Sequence, residues 1–166
     1  MKIAKLICLL SLLLVLPTSG FSKTGDNQQP IYVEADSLEV RDNDNISIYT
    51  GNVKLTQGSL EIQADLLTLY SDDNNTFTLM KMSGLPATFR QLNDSNLEIT
   101  GEALKMEYSE SESTLLLIDN AKLTQGVDII ESNKINVNTN SNDIEAGGVE
   151  PDNRVHMLIQ PKQPAN

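Results

Sequence analysis

Apolar and polar residues alternate along most of this chain, one by one, between polar clusters that recur at short intervals. The clusters are Asp42-Asn43-Asp44-Asn45, Gln57-Gly58, Asp72-Asp73-Asn74-Asn75 and Asn93-Asp94-Ser95-Asn96, then residues 109–113, Gln125-Gly126, residues 138–143 and Pro151-Asp152-Asn153. The runs between them are rich in Val, Ile, Leu and Thr and sustain no helical period. Period-two runs bounded by turn residues predict short strands, and a regular series of them predicts an all-β sandwich, barrel or stack. The only helical feature expected is a turn just after Gly25-Asp26.

The alternation changes phase inside each run. Ile31, Val33 and Ala35 share one parity, and Leu38 and Val40 take the other. The same happens from Leu60, Ile62 and Ala64 to Leu67 and Leu69, from Leu97, Ile99 and Gly101 to Leu104, Met106 and Tyr108, and from Ile130 and Ser132 to Ile135 and Val137. A second family interleaves: Ile46, Ile48 and Thr50 give way to Val53 and Leu55, Met80, Met82 and Gly84 to Ala87 and Phe89, and Leu116 and Ile118 to Ala121 and Leu123. Its breaks, after 50, 84 and 118, lie 34 residues apart. A strand that keeps one face buried through a phase change must contain an extra residue, a bulge or a corner. Each run is therefore read as two short strands bent at a corner, with every set above facing inward.

The repeat is also explicit. Asn52-Val53-Lys54-Leu55-Thr56-Gln57-Gly58 returns as Asn120-Ala121-Lys122-Leu123-Thr124-Gln125-Gly126, displaced by 68 residues. Self-similarity at such a period describes a stack of bent hairpins with a continuous apolar seam and two open ends.

The N-terminus carries Lys2 and Lys5, an apolar run over residues 6–16 that stops at Pro17, and small residues Gly20 and Ser22 before Lys23. This pattern reads as a secretory signal peptide over residues 1–22. Eleven helical residues rise only about 16 Å, too little to cross roughly 30 Å of hydrocarbon. The expected mature chain, one domain over residues 23–160 and a short tail at 161–166, has ten cations against 23 acids, a formal charge of −13. That excess argues against nucleic acid, which needs clustered cations, and against docking on anionic headgroups. Cys8 falls within the leader, so an oxidising compartment would receive a chain without disulfides.

Little in the sequence suggests catalysis. His156 is the only histidine and sits in the alternating run Arg154-Val155-His156-Met157-Leu158-Ile159, opposite the apolar positions. No Gly-x-Ser-x-Gly elbow accompanies it. The Asp42 region lacks a calcium loop's spacing, since position 53 is Val. No catalytic residue, metal or cofactor is expected.

Three segments carry a family resemblance. Thr50-Gly51-Asn52-Val53-Lys54-Leu55-Thr56-Gln57-Gly58 followed by Ile62-Gln63-Ala64-Asp65 resembles the signature of the OstA-like domain. Gln29-Pro30-Ile31-Tyr32-Val33-Glu34-Ala35-Asp36 is similar to the start of that domain, and Gly84-Leu85-Pro86-Ala87-Thr88-Phe89 to its central element. Ile118-Asp119-Asn120 departs from it, where the family often repeats Thr-Gly-Asn. The resemblance implies an open β-jellyroll of about sixteen short antiparallel strands in the periplasm, with lipopolysaccharide acyl chains in its groove. It also implies subunits joined head to tail between an LptC-like inner-membrane partner and an LptD-like outer-membrane partner.

Parity nominates Ile31, Val33, Leu38, Leu55, Ile62, Leu67, Phe89, Met106, Tyr108 and Leu123 as groove lining. The uncharged runs at the two ends, Ile31, Tyr32 and Val33 against Val155, Met157, Leu158 and Ile159, are expected to be assembly edges. An alternative is a structural β-adaptor with a closed seam that joins proteins without binding lipid. A transmembrane barrel would need runs of about nine to eleven residues with one face apolar throughout; these runs break earlier, with Glu34, Glu61, Lys105 and Glu107 outward.

Overall fold

The computed structural model describes residues 22–74, 76–147 and 154–160. The expected leader, apart from Ser22, and the expected tail at 161–166 lie outside the described residues. A 3-10 turn at Asp26–Gln28 stands where the sequence placed its single helical feature. All remaining regular structure among the described residues is β apart from a second 3-10 turn at Asp42–Asp44. Two short strands, β1 (Tyr32–Glu34) and β2 (Ser37–Arg41), precede six long ones. These are β3 (Ile46–Gln57), β4 (Leu60–Ser71), β5 (Phe77–Leu92), β6 (Glu98–Ser109), β7 (Thr114–Gln125) and β8 (Asp128–Asn138). Two further short strands follow, β9 (Ile144–Ala146) and β10 (His156–Leu158).

All ten join one antiparallel sheet in the order β1-β3-β4-β5-β6-β7-β8-β10, with β2 also on β3 and β9 also on β8. The family resemblance implies about sixteen short strands, and the sheet has ten. Here the six long strands continue through their corners, so two arms of each long strand and the four short strands account for the sixteen.

One face of this sheet is apolar and buried, with Leu55, Leu67, Ile99, Met106, Leu117 and Ile135 fully inaccessible. No helix or second sheet among the described residues covers that face, so the sheet covers itself. Arm 1 (the ends bearing Leu67, Met106 and Leu117) and arm 2 (those bearing Leu55, Phe89 and Leu123) belong to one continuous cluster. A Cβ built on Gly101 in arm 2 would lie 3.0 Å from Leu117 Cδ2 in arm 1.

The corners that allow this are of two kinds. In β4, β5, β6 and β8 the inward residues flanking the corner are three apart: Ala64 and Leu67, Gly84 and Ala87, Ala103 and Met106, Ser132 and Ile135. One extra residue flips the parity there, as the phase changes predicted. In β3 and β7 the flanking residues are four apart, Tyr49 and Val53, Leu117 and Ala121, and two left-handed residues lie between them. These are Gly51 and Asn52 (φ +79° and +45°) in β3, Asp119 and Asn120 (φ +64° and +55°) in β7.

An even insertion conserves parity, which corrects the sequence reading. Ile46, Ile48, Leu116 and Ile118 lie on the outer face, and Tyr49, Leu115 and Leu117 take the inner one. In β6 the corner falls between Glu102 and Lys105, two residues later than predicted. Ala103 is therefore the core residue and Leu104 is not. The departure at Asp119 is structurally conservative, since Asp and Asn are the residues besides glycine that most readily enter this region.

Polar contacts fasten the periphery. Cross-strand ion pairs mark the outer face, among them Lys54–Glu61 (3.5 Å), Lys81–Glu107 (3.4 Å) and Lys122 with Glu131 (3.5 Å). Residues 22–29 run across two turns at one rim. Thr24 N–H and Oγ1–H donate to the Asp94 carboxylate (2.5 and 2.8 Å), and Gln57 Nε2–H donates to the carbonyls of Asn27 and Gln29. The Thr24 backbone N–H, with its hydroxyl and the charge of Lys23, holds the Asp94 carboxyl below its ordinary range.

Gly51 has no room for a side chain. A Cβ there would meet the Asp36 carboxylate, which accepts from Asn52 Nδ2 at 2.8 Å, while Asp36 N–H donates to Gly51 O at 2.9 Å. Gly51→Val should therefore destabilise the fold by about 1–3 kcal/mol in denaturant melts. Thr50→Val, on an exposed strand position beside it, should stay within about 0.5 kcal/mol of the parent. Equal midpoints for the two variants would show that the left-handed corner is not what fixes Gly51.

Candidate functional site

The nominated groove residues all lie on the inner face. Val33, Leu55, Ile62, Phe89 and Leu123 occupy successive strands of one row in arm 2, with Gly101 between the last two. Ile31 packs on the core beside them. Leu38, Leu67 and Met106 share a row in arm 1, and Tyr108 lies in the next inner row. Leu55, Ile62, Leu67, Phe89, Met106 and Leu123 are buried; Ile31, Val33 and Tyr108 are partly buried against them. Leu38 is different: it is 55% exposed, at the β1/β2 end of the sheet.

Local packing explains the positions. The Phe89 ring occupies the space that a side chain at its cross-strand partner Gly101 would need. This is the aromatic-over-glycine pairing that fills a sheet surface without crowding it. Along the crease the inward residues are small: Ala64, Ala87, Ala103, Ala121 and Ser132 are all buried. Burial, and to a smaller degree the charge of Glu110, raises the Tyr108 hydroxyl above its ordinary value. The hydroxyl lies at the margin of the apolar face.

The inner face continues to both ends of the sheet and is largely exposed there among the described residues. Leu38 and Val40 at one end are each 55% exposed, and Met157 at the other is 57% exposed. These positions share rows with the fully buried interior. The edges themselves comprise more than the sequence suggested. Tyr32 and Val33 lie in β1 and Met157 and Leu158 in β10, while Ile31, Val155 and Ile159 flank those strands. β2 and β9 form a second edge pair, which charge at Glu39, Arg41 and Glu145 hid from a search for uncharged runs.

Elsewhere the surface mixes polar residues with exposed Leu66, Leu85 and Val127. An open depression of about 360 Å³ on the outer face of arm 2 is lined by Glu61, Gln63, Thr88, Arg90, Glu102 and Lys122 among others, several of them ion-paired. It does not suit an aliphatic chain. Among the described residues no cluster of His, Cys, Asp and Glu is placed to hold a metal. His156 is exposed on β10, in register with Glu131. No helix among the described residues is long and apolar enough to cross a membrane.

Comparison with known proteins agrees with this architecture. Residues 32–143 match the family model described as LptA/(LptD N-terminal domain) LPS transport protein. The chain is 33% identical to the lipopolysaccharide export system protein LptH of Pseudomonas aeruginosa over 147 residues, 84% of each chain. It is 30% identical to lipopolysaccharide export system protein LptA of Escherichia coli K12, over 98% of this chain and 88% of that one. The crystal structure of LptH, described as the periplasmic component of a lipopolysaccharide transport device, superposes with a TM-score of 0.74 at 31% identity. It covers 82% of this chain and 99% of that one. The chain belongs to the LptA/LptD N-terminal domain family of lipopolysaccharide transport proteins.

Proposed function

We propose that this chain is a periplasmic lipopolysaccharide carrier, which holds the acyl chains against its apolar inner face and works as one link of a bridge between the two membranes. It is not an enzyme. The observation that carries the reading is an apolar face running unbroken through the sheet, with uncovered aliphatic residues at both ends, in a chain of this family. Each acyl methylene transferred from water contributes about 0.8 kcal/mol, so the grip needs no specific polar contact. The acidic outer face leaves the phosphorylated headgroup at the solvent side.

Head-to-tail assembly has a geometric basis in the number of strands. The sheet path holds eight strands, all antiparallel, so β1 and β10 run in opposite directions. A translated copy would bring β1 beside β10 antiparallel, with the same face inward, and the arrangement need not close. Each copy would extend the sheet by about 38 Å, eight strand spacings. LptC-like and LptD-like proteins would terminate the bridge, and the leader at 1–22 would be removed on export.

Two experiments test this. Photo-crosslinkers at Phe89 and Tyr108 should capture lipopolysaccharide, whereas those at outward Lys105 and Glu107 should not; equal capture at all four sites would sink the inside and outside assignment. Light scattering should report a mass that climbs steadily with concentration, and deletion of residues 155–166 should leave a folded monomer. A concentration-independent dimer would overturn the end-to-end reading.

A further inference from the structure

The inner row along the crease is almost entirely alanine. Val53 faces Ala64, Ala87 faces Ala103 and Ala121 faces Ser132 across the ladders, so the row crosses from β3 to β8 through four alanines and ends on a serine. Ser132 is 9% exposed, and its hydroxyl has no hydrogen-bond partner among the described residues. A buried hydroxyl without a partner destabilises a fold. A fifth alanine would fill the place without that cost, so the oxygen adds nothing to the packing of the ligand-free protein.

Ser132 also stands at an opening in the sheet edge. β10 pairs with residues 129–131 and β9 with residues 135–137, so among the described residues no strand pairs with Ser132 on that side. Two residues further on, exposed Lys134 differs from the other cations of the long strands. Lys54, Lys81, Arg90, Lys105 and Lys122 each have a carboxylate within 3.8 Å. Lys134 has no ion-pair partner among the described residues.

From these observations, and resting on the lipid-carrier reading, we infer that the crease takes an acyl chain in one fixed orientation, with Ser132 as its polar anchor. When the arms part, the Ser132 hydroxyl donates to the carbonyl oxygen of the ester or amide that joins the chain to its headgroup. The hydrocarbon then lies along the alanine methyl groups toward Ala64, four strand spacings or about 19 Å away. The anionic headgroup stays at the rim beside Lys134. The reverse orientation would bring the carbonyl to Val53, which has no group to bond it and would leave the Ser132 hydroxyl buried against hydrocarbon.

The test is that Ser132→Ala should have effects of opposite sign. The full chain carrying it should unfold at a higher denaturant concentration than the parent, yet bind purified lipopolysaccharide roughly three- to tenfold more weakly. Its uptake of hexadecane, which has no oxygen, should match the parent's. Lys134→Gln should weaken lipopolysaccharide binding and flatten its dependence on salt, again without touching hexadecane. Methyl tetradecanoate with a diazirine on its last carbon should label peptides of β4 or β5; labelling of β8 would overturn the orientation. A lower unfolding midpoint for Ser132→Ala would show that the hydroxyl already has a partner, a buried water included, and would overturn the anchor. Undiminished lipopolysaccharide binding would do the same, as would equal losses for lipopolysaccharide and hexadecane, the mark of altered shape alone. If the parent itself takes up neither ligand, the carrier reading falls and this inference falls with it.

Discussion

Everything in this molecule depends on one sheet having to bury its own face. A sheet with no helix or partner sheet against it leaves an apolar surface in water unless it folds over, and folding over demands a corner in every long strand. The corners must fall side by side, or the ladder hydrogen bonds between neighbours would be lost on one side of the bend. They do: Gly51 and Asn52 lie opposite Asp65, and the irregularities of β5, β6, β7 and β8 follow in line. Small inward residues at the crease, Ala64, Ala87, Ala103 and Ala121, let the two arms meet there.

The same constraint explains what the sequence revealed and what it hid. A corner with one extra residue leaves a visible phase change, and Ala64 to Leu67 and Ser132 to Ile135 were legible for that reason. A corner with two extra residues leaves the phase intact. The apparent break at Thr50 came from outward aliphatic residues, Ile46 and Ile48, not from the core. Their inward neighbours, Ser47 and Tyr49, are polar or amphipathic, so hydropathy alone pointed to the wrong face. The signal that would have resolved β3 is the dipeptide Gly51-Asn52, two residues suited to left-handed backbone, and Asp119-Asn120 repeats it in β7. Edge strands were half legible, because charge at Glu39 and Glu145 resembles the usual protection of an edge against pairing.

Burial and ligand binding make compatible demands here. Leu55, Leu67 and Met106 are fully inaccessible, so an acyl chain lodged between the arms would replace contacts between side chains with contacts of the same kind. Aliphatic groups exchange such partners with little net change, and flexible Met80, Met82 and Met106 adapt better than branched residues would. Loading of the proposed acyl ligand would then be driven by the water released from the lipid, not by a new bond to the protein. A buried ion pair on the inner face would make this exchange costly. The ion pairs lie on the outer face, with Lys81 and Glu107 one residue away from inward Met82 and Met106.

The ends of the sheet are where that economy fails. Leu38, Val40 and Met157 stand in rows whose central members, such as Leu67, Leu69 and Leu123, are buried, and each remains more than half exposed. A fold that only needed a closed core could have finished those rows with polar residues, as it finishes its turns with Asn and Asp. Instead the apolar pattern runs to the last strand on either side, together with unpaired backbone on β1, β2, β9 and β10 among the described residues. Row continuity and strand direction then act together. In the proposed end-to-end assembly the eight-strand path would set the end strands antiparallel to a translated copy, with Val33 at one edge and Met157 at the other ending the same row of cross-strand partners. On the proposed reading, the exposed aliphatic residues at the two ends would tie the carrying of a lipid to the building of a path for it.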